Sequence, residues 1–342
     1  MKRPIKIIFG PSTKMPINEL IELSIIVEKA GFDGIMLPDL NPAGSYNDTF
    51  LTLAALAIST KQITLGTAIC NPYTRHPAMI ARAFRTLYDL SNGRVVIGIG
   101  AGGLLPLSSI CYKSWKSPLR VVEDSIIVIR RLLNGEKVTH KSITFSVCNL
   151  QFKNPPVSIP IFIGARRAGM LRLAERLGDG VILSACSEEI IEISKKYLMD
   201  GLKKVNKDLS NFSIVHWTYS SISKDLNEAK ELIKKTVAQV LYYHPIEFLE
   251  RTCEDIKAII KIRELISSGD INAAKELVTD EMIDRFSLTG TPEEIIEKIE
   301  RQAKVGITHL VLGYPIGKEL NKTLKLLKNE IIPHIKDKEN NH

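Results

Sequence analysis

The stretch GTAICNPYTRHPA (66–78) leaves an apolar run and delivers Asn71, Tyr73, Arg75 and His76 where the next helix should begin. Polar side chains at such a junction can hold a loop or meet a ligand. His76, between Arg75 and Pro77, suits either role, since it can cap the following helix or touch a bound molecule. A second set lies in GARRAG (164–169), where Gly164 and Ala165 clear space and Arg166 and Arg167 stand at the head of a helical stretch. A phosphate there would meet both backbone donors and guanidinium forks. The alternative is that the two arginines only decorate a helix start, although cations at that end oppose the helix dipole by about 0.3–1 kcal/mol. Other common chemistries lack their signatures. The chain has no GxxxxGK[ST], HExxH or GxSxG, and His76, His216 and His309 have no metal-ligand spacing. The five cysteines, Cys70, Cys111, Cys148, Cys186 and Cys253, are scattered and never form CxxC, so buried thiols are expected rather than a zinc site or a disulfide framework.

These residues need elements to position them. Short β-branched runs alternate with stretches of helical period: 5–10, 33–38, 63–70, 94–102, 159–165, 179–184, 212–222 and 308–315 read as strands, each followed by a helix. Near-continuous apolar strands, each covered by a helix, suit a parallel sheet buried on both faces. Eight such units predict a (β/α)8 TIM barrel, whose ligand groups sit on the loops after the strand ends. An open doubly wound sheet is the alternative, but FGPSTKMP after the first strand is not the GxGxxG turn that fold commonly carries. Residues 136–158 read as a β-rich excursion and residues 240–290 as extra helices before the last strand. No low-complexity linker divides the chain, so residues 1–342 read as one domain with two insertions. His216 and Trp217 are neighbours in one strand and must face opposite ways, with Trp217 placed in the core.

Composition narrows the function classes. No apolar run reaches the roughly 18 residues of a membrane span, and the N-terminal stretch lacks a signal-peptide pattern, which predicts a cytoplasmic protein with no membrane partner. The formal charge of +8 comes from basic residues dispersed beside acids along the helices, as in EKIERQAK, so a solvated surface is expected and no nucleic-acid partner. Abundant Lys and Ile with scarce Gln points to a thermophilic or archaeal source.

In order along the chain, LGTAICNPYTRHPA (65–78), LSNGRVVIGIGAG (90–102), PIFIGARRAGMLRLAERLGDGVILS (160–184) and FSLTGTPEEIIEKIERQAKVGITHLVLGYPIG (286–317) resemble the bacterial luciferase-like barrel enzymes. Within them, the closing TGTPEE and PIG pieces resemble the methylenetetrahydromethanopterin reductase branch. The resemblance implies an oxidoreductase that binds the deazaflavin coenzyme F-420 and passes hydride to or from a one-carbon pterin. It implies a non-prolyl cis peptide at Ala68–Ile69 that supports the coenzyme ring. It implies a coenzyme cradle of Thr67, Ala68, Ile69 and Asn71 after strand three, Gly100, Ala101 and Gly102 after strand four, Gly164, Ala165, Arg166 and Arg167 after strand five, and Ser184 after strand six. Homo-oligomerisation is an expectation of the same kind.

The chain also departs from the branch. Acids usual in strand one and after the strand-four glycines are replaced by Ile8 and Gly103, an Asp-His pair reads Asp39-Leu40, and a Gln-Gly pair reads Arg166-Arg167. Asp39 is the acid retained, and it is the candidate for proton handling or substrate orientation, with Tyr46, Asp48 and His76 behind it. A salt bridge to Arg75 is the alternative role for Asp39. An FMN-dependent monooxygenase, with the arginine pair on the FMN phosphate, and a cofactor-binding barrel without catalysis are the competing functions.

Overall fold

The computed structural model describes residues 5–12, 14–39, 47–103, 116–204, 209–250, 253 and 255–340. Its main sheet uses β1 (Lys6–Gly10), β2 (Gly34–Leu37), β3 (Thr64–Thr67), β4 (Val95–Ile99), β7 (Ile161–Gly164), β8 (Gly180–Ser184), β9 (Ser213–Ile222), β10 (Ser287–Gly290) and β11 (His309–Ile316); β5 (Val138–Lys141) and β6 (Ser146–Leu150) form a separate pair. The strand order is β10-β9-β11-β1-β2-β3-β4-β7-β8, and a further pairing of β9 with β8 closes the strands other than β10 into a ring. Parallel registers such as Lys6 with His309, Gly34 with Thr64 and Ile163 with Val181 run around it. This is the expected (β/α)8 barrel. The β-rich stretch at 136–158 is the antiparallel hairpin β5–β6. The stretch at 240–290 contains the expected helices and also β10, a strand absent from the sequence reading, which pairs in parallel with the end of β9.

By contact density the chain divides into two compact units, of residues 13–182 with 196–215 and residues 1–12, 183–195 and 216–342. The first holds α1 (Ile17–Lys29), α2 (Thr49–Ser59), α3 (Pro77–Ser91), α4 (Pro118–Leu133) and α5 (Ala168–Leu177). Its helices start where the sequence supplies caps: the Asp48 carboxylate accepts from the Phe50 and Leu51 N–H groups at the head of α2, and Pro77 opens α3. Phe50 and Phe84 meet edge to face at 5.6 Å between α2 and α3. In β4 the glycine of VVIGI is a packing requirement. A Cβ on Gly98 would lie 1.8 Å from the Thr67 carbonyl oxygen, and backbone cannot swing aside as a side chain can. We expect Gly98→Ala to destabilise the fold by about 3 kcal/mol or more. Thermal unfolding checks this, and a melting temperature equal to that of the parent would show that β3 can retreat.

The second unit holds the helices α6 (Glu188–Lys204, its first half), α7 (Leu226–Tyr243), α8 (Ile246–Leu249), α9 (Ile256–Ser267), α10 (Ile271–Glu276), α11 (Asp280–Phe286), α12 (Pro292–Val305), α13 (Leu320–Leu326) and α14 (Ile332–Asn340). A local core of Ile233, Val237, Leu241, Ile259, Ile262, Met282 and Phe286 explains why the residues before the last strand fold as helices: each presents an apolar stripe to the same centre. At α12, Thr291 and Glu294 form a reciprocal capping box behind Pro292.

His216, only 2% exposed, faces this helical layer. Its Nδ1 lies 2.8 Å from Gln302 Oε1 on α12, and its Nε2 accepts from the Cys186 N–H at 3.4 Å. An amide oxygen only accepts, so the proton sits on Nδ1 and the ring is neutral. Burial pushes its pKa down to about 4, against the opposing pull of Gln302. The unfolded chain therefore binds one more proton than the native state between about pH 6.5 and 4. Stability contributed by neutral His216 is complete above the unfolded pKa and falls by up to about 3 kcal/mol as pH drops to 4. Denaturant unfolding at both ends of this window should show a smaller acid loss in His216→Gln than in the parent protein.

Candidate active site

The first unit gathers the expected residues at the carboxyl ends of β2, β3, β4 and β7. After Thr67 the backbone leaves strand geometry through a cis peptide at Ala68–Ile69, and it rejoins β4 at an isolated bridge from Cys70 to Ile99. Both sides pin this bend. Ala68 donates to the Leu37 carbonyl at 2.8 Å and the Asp39 N–H donates to the Ile69 carbonyl at 3.2 Å; Cys70 donates to Gly98 and Gly100 to Cys70. The Thr67 hydroxyl donates to the Gly98 carbonyl at 2.7 Å and accepts from its N–H at 3.1 Å. Cys70 is wholly buried, and desolvation pushes its thiol up to about 12, which makes it an inert packing group.

The bend exposes one side-chain pattern that the sequence did not reveal. Ile69 projects over two glycines: a Cβ on Gly100 would lie 2.9 Å from Ile69 Cδ1, and one on Gly164 would lie 3.1 Å from Ile69 Cγ2. The missing methyls at Gly100 and Gly164 make room for Ile69 itself, which forms an apolar shelf across the ends of β4 and β7. Gly102 has φ +68 and is exposed, Ala101 and Gly103 are half-buried beside it, and residues 104–115 lie outside the described residues.

The polar residues of the 71–76 loop divide by role. Asn71 is 1% exposed, and its Oδ1 accepts from the Tyr73 and Thr74 N–H groups at 3.1 and 3.0 Å, so its carbonyl end shapes the turn. The Tyr73 hydroxyl donates to the Lys116 carbonyl at 2.7 Å. His76 is the N-cap of α3: Nδ1 accepts from the Ala78 N–H at 3.2 Å, and Nε2 faces the Ser146 carbonyl of the β5–β6 hairpin at 3.2 Å. Between its two open roles, the structure gives His76 the capping one.

Asp39 and Asp48 share Arg75. The Arg75 Nε lies 3.4 Å from Asp39 Oδ2, an ion pair without hydrogen-bond geometry, while its terminal nitrogen is hydrogen-bonded to Asp48. The guanidinium lies 4.4 Å from the centre of the Phe50 ring. Asp39 has a side chain 9% exposed, and its Oδ2 has no hydrogen-bond partner among the described residues. Burial raises its pKa above the ordinary carboxylate value, more than Arg75 lowers it, and neighbouring Asp48 adds to the rise. For Asp48, burial acts in the same direction, but hydrogen bonds from Leu51 and Arg75 prevail and hold its pKa below the usual range. Two nearby carboxylates are thereby driven apart, and Asp39 is the one disposed to carry a proton. Tyr46 lies outside the described residues.

Arg166 and Arg167 are exposed between β7 and α5. Arg167 is the N-cap of α5 without a side-chain capping hydrogen bond, and the first turn contains no acid. This helix start is therefore electropositive from both its dipole and its side chains, which fits an anionic tail. Ser184 belongs to the second unit, at the end of β8, where its carbonyl lies 3.2 Å from Cys186 Sγ. Among the described residues no cluster of His, Cys, Asp and Glu could hold a metal ion, and no helix is long and apolar enough to cross a membrane.

The sequence profile of the luciferase-like monooxygenases matches residues 6–309. The chain belongs to the luciferase-like family. Within that family it is 35% identical to a 5,10-methylenetetrahydromethanopterin reductase of Archaeoglobus fulgidus, over 91% of this chain and 94% of the relative. It is likewise 35% identical to the enzyme of that name from Methanolobus tindarius, over 95% and 98% of the two chains. The solved coenzyme F-420-dependent tetrahydromethanopterin reductase of Methanopyrus kandleri superposes with a TM-score of 0.90 at 28% identity, covering 98% of this chain and all of its own. As a luciferase-like barrel, the chain places its bend, its arginine pair and Asp39 at the strand ends, where this architecture holds its ligands.

Proposed function

We propose that this protein is a deazaflavin-dependent oxidoreductase that transfers a hydride to or from a one-carbon pterin such as methylenetetrahydromethanopterin. The observation that carries the reading is the 35% identity, over more than nine tenths of the chain, to reductases of that pterin. The coenzyme F-420 dependence printed for the Methanopyrus kandleri structure supports a deazaflavin over FMN. Coenzyme F-420, when bound, supplies the carbon that gives or takes the hydride. The residues present fit such a group: Ile69 offers an apolar shelf for a flat ring, and Arg166 and Arg167 offer cations at a helix start for an anionic tail.

What remains for the protein is orientation, exclusion of water and one proton. Thr67, Ala68 and Cys70 hold the shelf rigid through bonds to β2 and β4. When a hydride reaches the one-carbon unit, a carbon–nitrogen bond breaks and the ring nitrogen takes up a proton. With Ile8 and Gly103 replacing acids, Asp39 is the group assigned to hold that proton, on the Oδ2 left without a hydrogen-bond partner among the described residues. Cys70 and Cys186 are buried as expected, whereas Cys148 is exposed and Cys253 half-buried; all four are free thiols, which suits a reducing cytoplasm, and the reaction belongs to one-carbon metabolism.

Titration of the purified protein with coenzyme F-420, followed by the coenzyme's own fluorescence, should give saturable binding, and mixing with the pterin should then give turnover. Binding of FMN in place of the deazaflavin would overturn the assignment. Binding without turnover on any one-carbon pterin would favour the cofactor-binding barrel.

A further inference from the structure

Trp217 lies in the second unit, and its setting points to a role beyond core packing. Because its neighbour His216 faces α12 through Gln302, strand alternation turns Trp217 to the opposite side of β9, the inside of the barrel. Trp217 is buried, as the sequence led us to expect, and the core it belongs to is the barrel interior. There the indole crosses β11 to reach β1. A Cβ on Gly313 would lie 3.1 Å from Trp217 Nε1, and one on Gly10 would lie 3.0 Å from its Cη2. Gly10 and Gly313 are register partners at the last residue of β1. Both positions lack a side chain where any Cβ would press on the ring.

The height of the indole along the strands matters. The Ala185 N–H, just past the end of β8, donates to the Trp217 carbonyl at 2.7 Å, so Trp217 stands level with the carboxyl ends of β8 and β1. That is the end at which barrels of this class bind ligands. The ring retains 8% exposure, and the indole N–H has no hydrogen-bond partner among the described residues. Beneath Gly10 on the same face of β1 is Ile8, also apolar. The indole, Gly10, Gly313 and Ile8 thus bring no charge to this part of the interior wall.

Resting on the deazaflavin reading above, we propose that Trp217 is the platform against which the substrate's heteroaromatic ring packs, and so a specificity-determining residue for flat pterins. The indole is uncharged and stands at the ligand-binding end of its strand, which is why a flat heteroaromatic ring is assigned to it. Stacking of a base-sized ring on an aromatic side chain contributes enough that its loss is read as about a tenfold effect or more.

The test uses Trp217→Leu, Trp217→Phe and Gly313→Ala in the full chain. Trp217→Leu should raise KM for methylenetetrahydromethanopterin about tenfold or more while the coenzyme dissociation constant stays within about twofold; Trp217→Phe should keep KM within about threefold. Gly313→Ala, whose Cβ would meet the Thr218 carbonyl oxygen at 2.9 Å as well as the indole at 3.1 Å, should follow Trp217→Leu. A role in packing alone would instead lower the melting temperature and weaken both ligands together, which overturns the proposal, as does an unchanged KM in Trp217→Leu. The chain has two tryptophans, so Trp115→Phe leaves Trp217 as the sole tryptophan, excited selectively beyond the absorption of the tyrosines. Its fluorescence should respond saturably to the pterin alone, and no response overturns the proposal even if Trp217→Leu fails to fold. Failure of the parent protein to bind coenzyme F-420 would remove the function proposed above, whereas normal coenzyme binding with an indifferent Trp217 would remove only this inference.

Discussion

Asp39→Asn lowers kcat by about two orders of magnitude or more, the range in which a positioned proton donor contributes, while the dissociation constant for coenzyme F-420 stays within about threefold. The substitution keeps the size of the side chain and removes its proton-holding capacity. The reason to expect so large an effect is the scarcity of substitutes: Ile8 and Gly103 carry no acid, His76 is committed to capping α3, and Asp48 is held ionised by Leu51 and Arg75. The sign of the pH dependence follows from the direction of the shift. Burial raises the pKa of Asp39, so its protonated form persists to higher pH than in a free carboxylate. In the reductive direction, where a proton is donated, kcat should fall as pH rises through that elevated value. Arg75 opposes the rise, so Arg75→Gln should move the falling limb to higher pH. Steady-state rates across pH for the three proteins decide the matter. An Asp39→Asn enzyme within about threefold of the parent would reduce Asp39 to a structural partner of Arg75, the alternative left open by the sequence.

Exchange of Arg166 and Arg167 for alanine together weakens coenzyme F-420 binding by about 100-fold. Hydrogen bonds to charged groups contribute about 1.5–3 kcal/mol each, and each 1.4 kcal/mol is tenfold in affinity, so two guanidinium contacts to an anionic tail account for that loss. The affinity of the parent should decline with added salt, and the double variant should lose most of that slope. If the arginines only decorate the start of α5, the outcome inverts. Their removal would then relieve unfavourable charge at the positive end of the helix dipole and stabilise the protein by about 0.3–1 kcal/mol, with binding unchanged. A fluorescence titration at two salt concentrations, beside a melting curve, separates these results.

The barrel was legible because its signal is periodic and repeated. Buried parallel strands such as ITLGTAIC and DGVILS alternate with helices whose apolar stripes recur every three or four residues, and each repeat reinforces the next. The hairpin at 136–158 was also legible. The strand Ser287–Gly290 was not: its four residues follow Phe286 of α11 directly, with no turn residue to announce the change and a capping box immediately beyond. Period alone cannot resolve such a short piece.

In the site, residue types were easier to read than roles. Alternation established that His216 and Trp217 face opposite ways, but which of them faces inward depends on Gln302, 86 residues away in the chain. The glycines after β4 and β7 suggested open space for a ring, whereas Gly100 and Gly164 yield that space to Ile69. A glycine announces that something comes close; it does not say what. The sequence left His76 between a cap and a ligand contact and set Asn71 in the coenzyme cradle; the cap on Ala78 and the turn bonds to Tyr73 and Thr74 came from the structure.

The seating of Ile69 on Gly100 and Gly164 ties three positions from different parts of the chain into one steric unit. A lineage that acquires alanine at 100 or 164 must shorten the branched side chain at 69 or let the third strand's exit slide outward. Substitutions at these sites should therefore travel together through evolution, and a paired exchange such as Gly100→Ala with Ile69→Val, which removes the Cδ1 that the new methyl would meet, should recover stability that Gly100→Ala alone gives up.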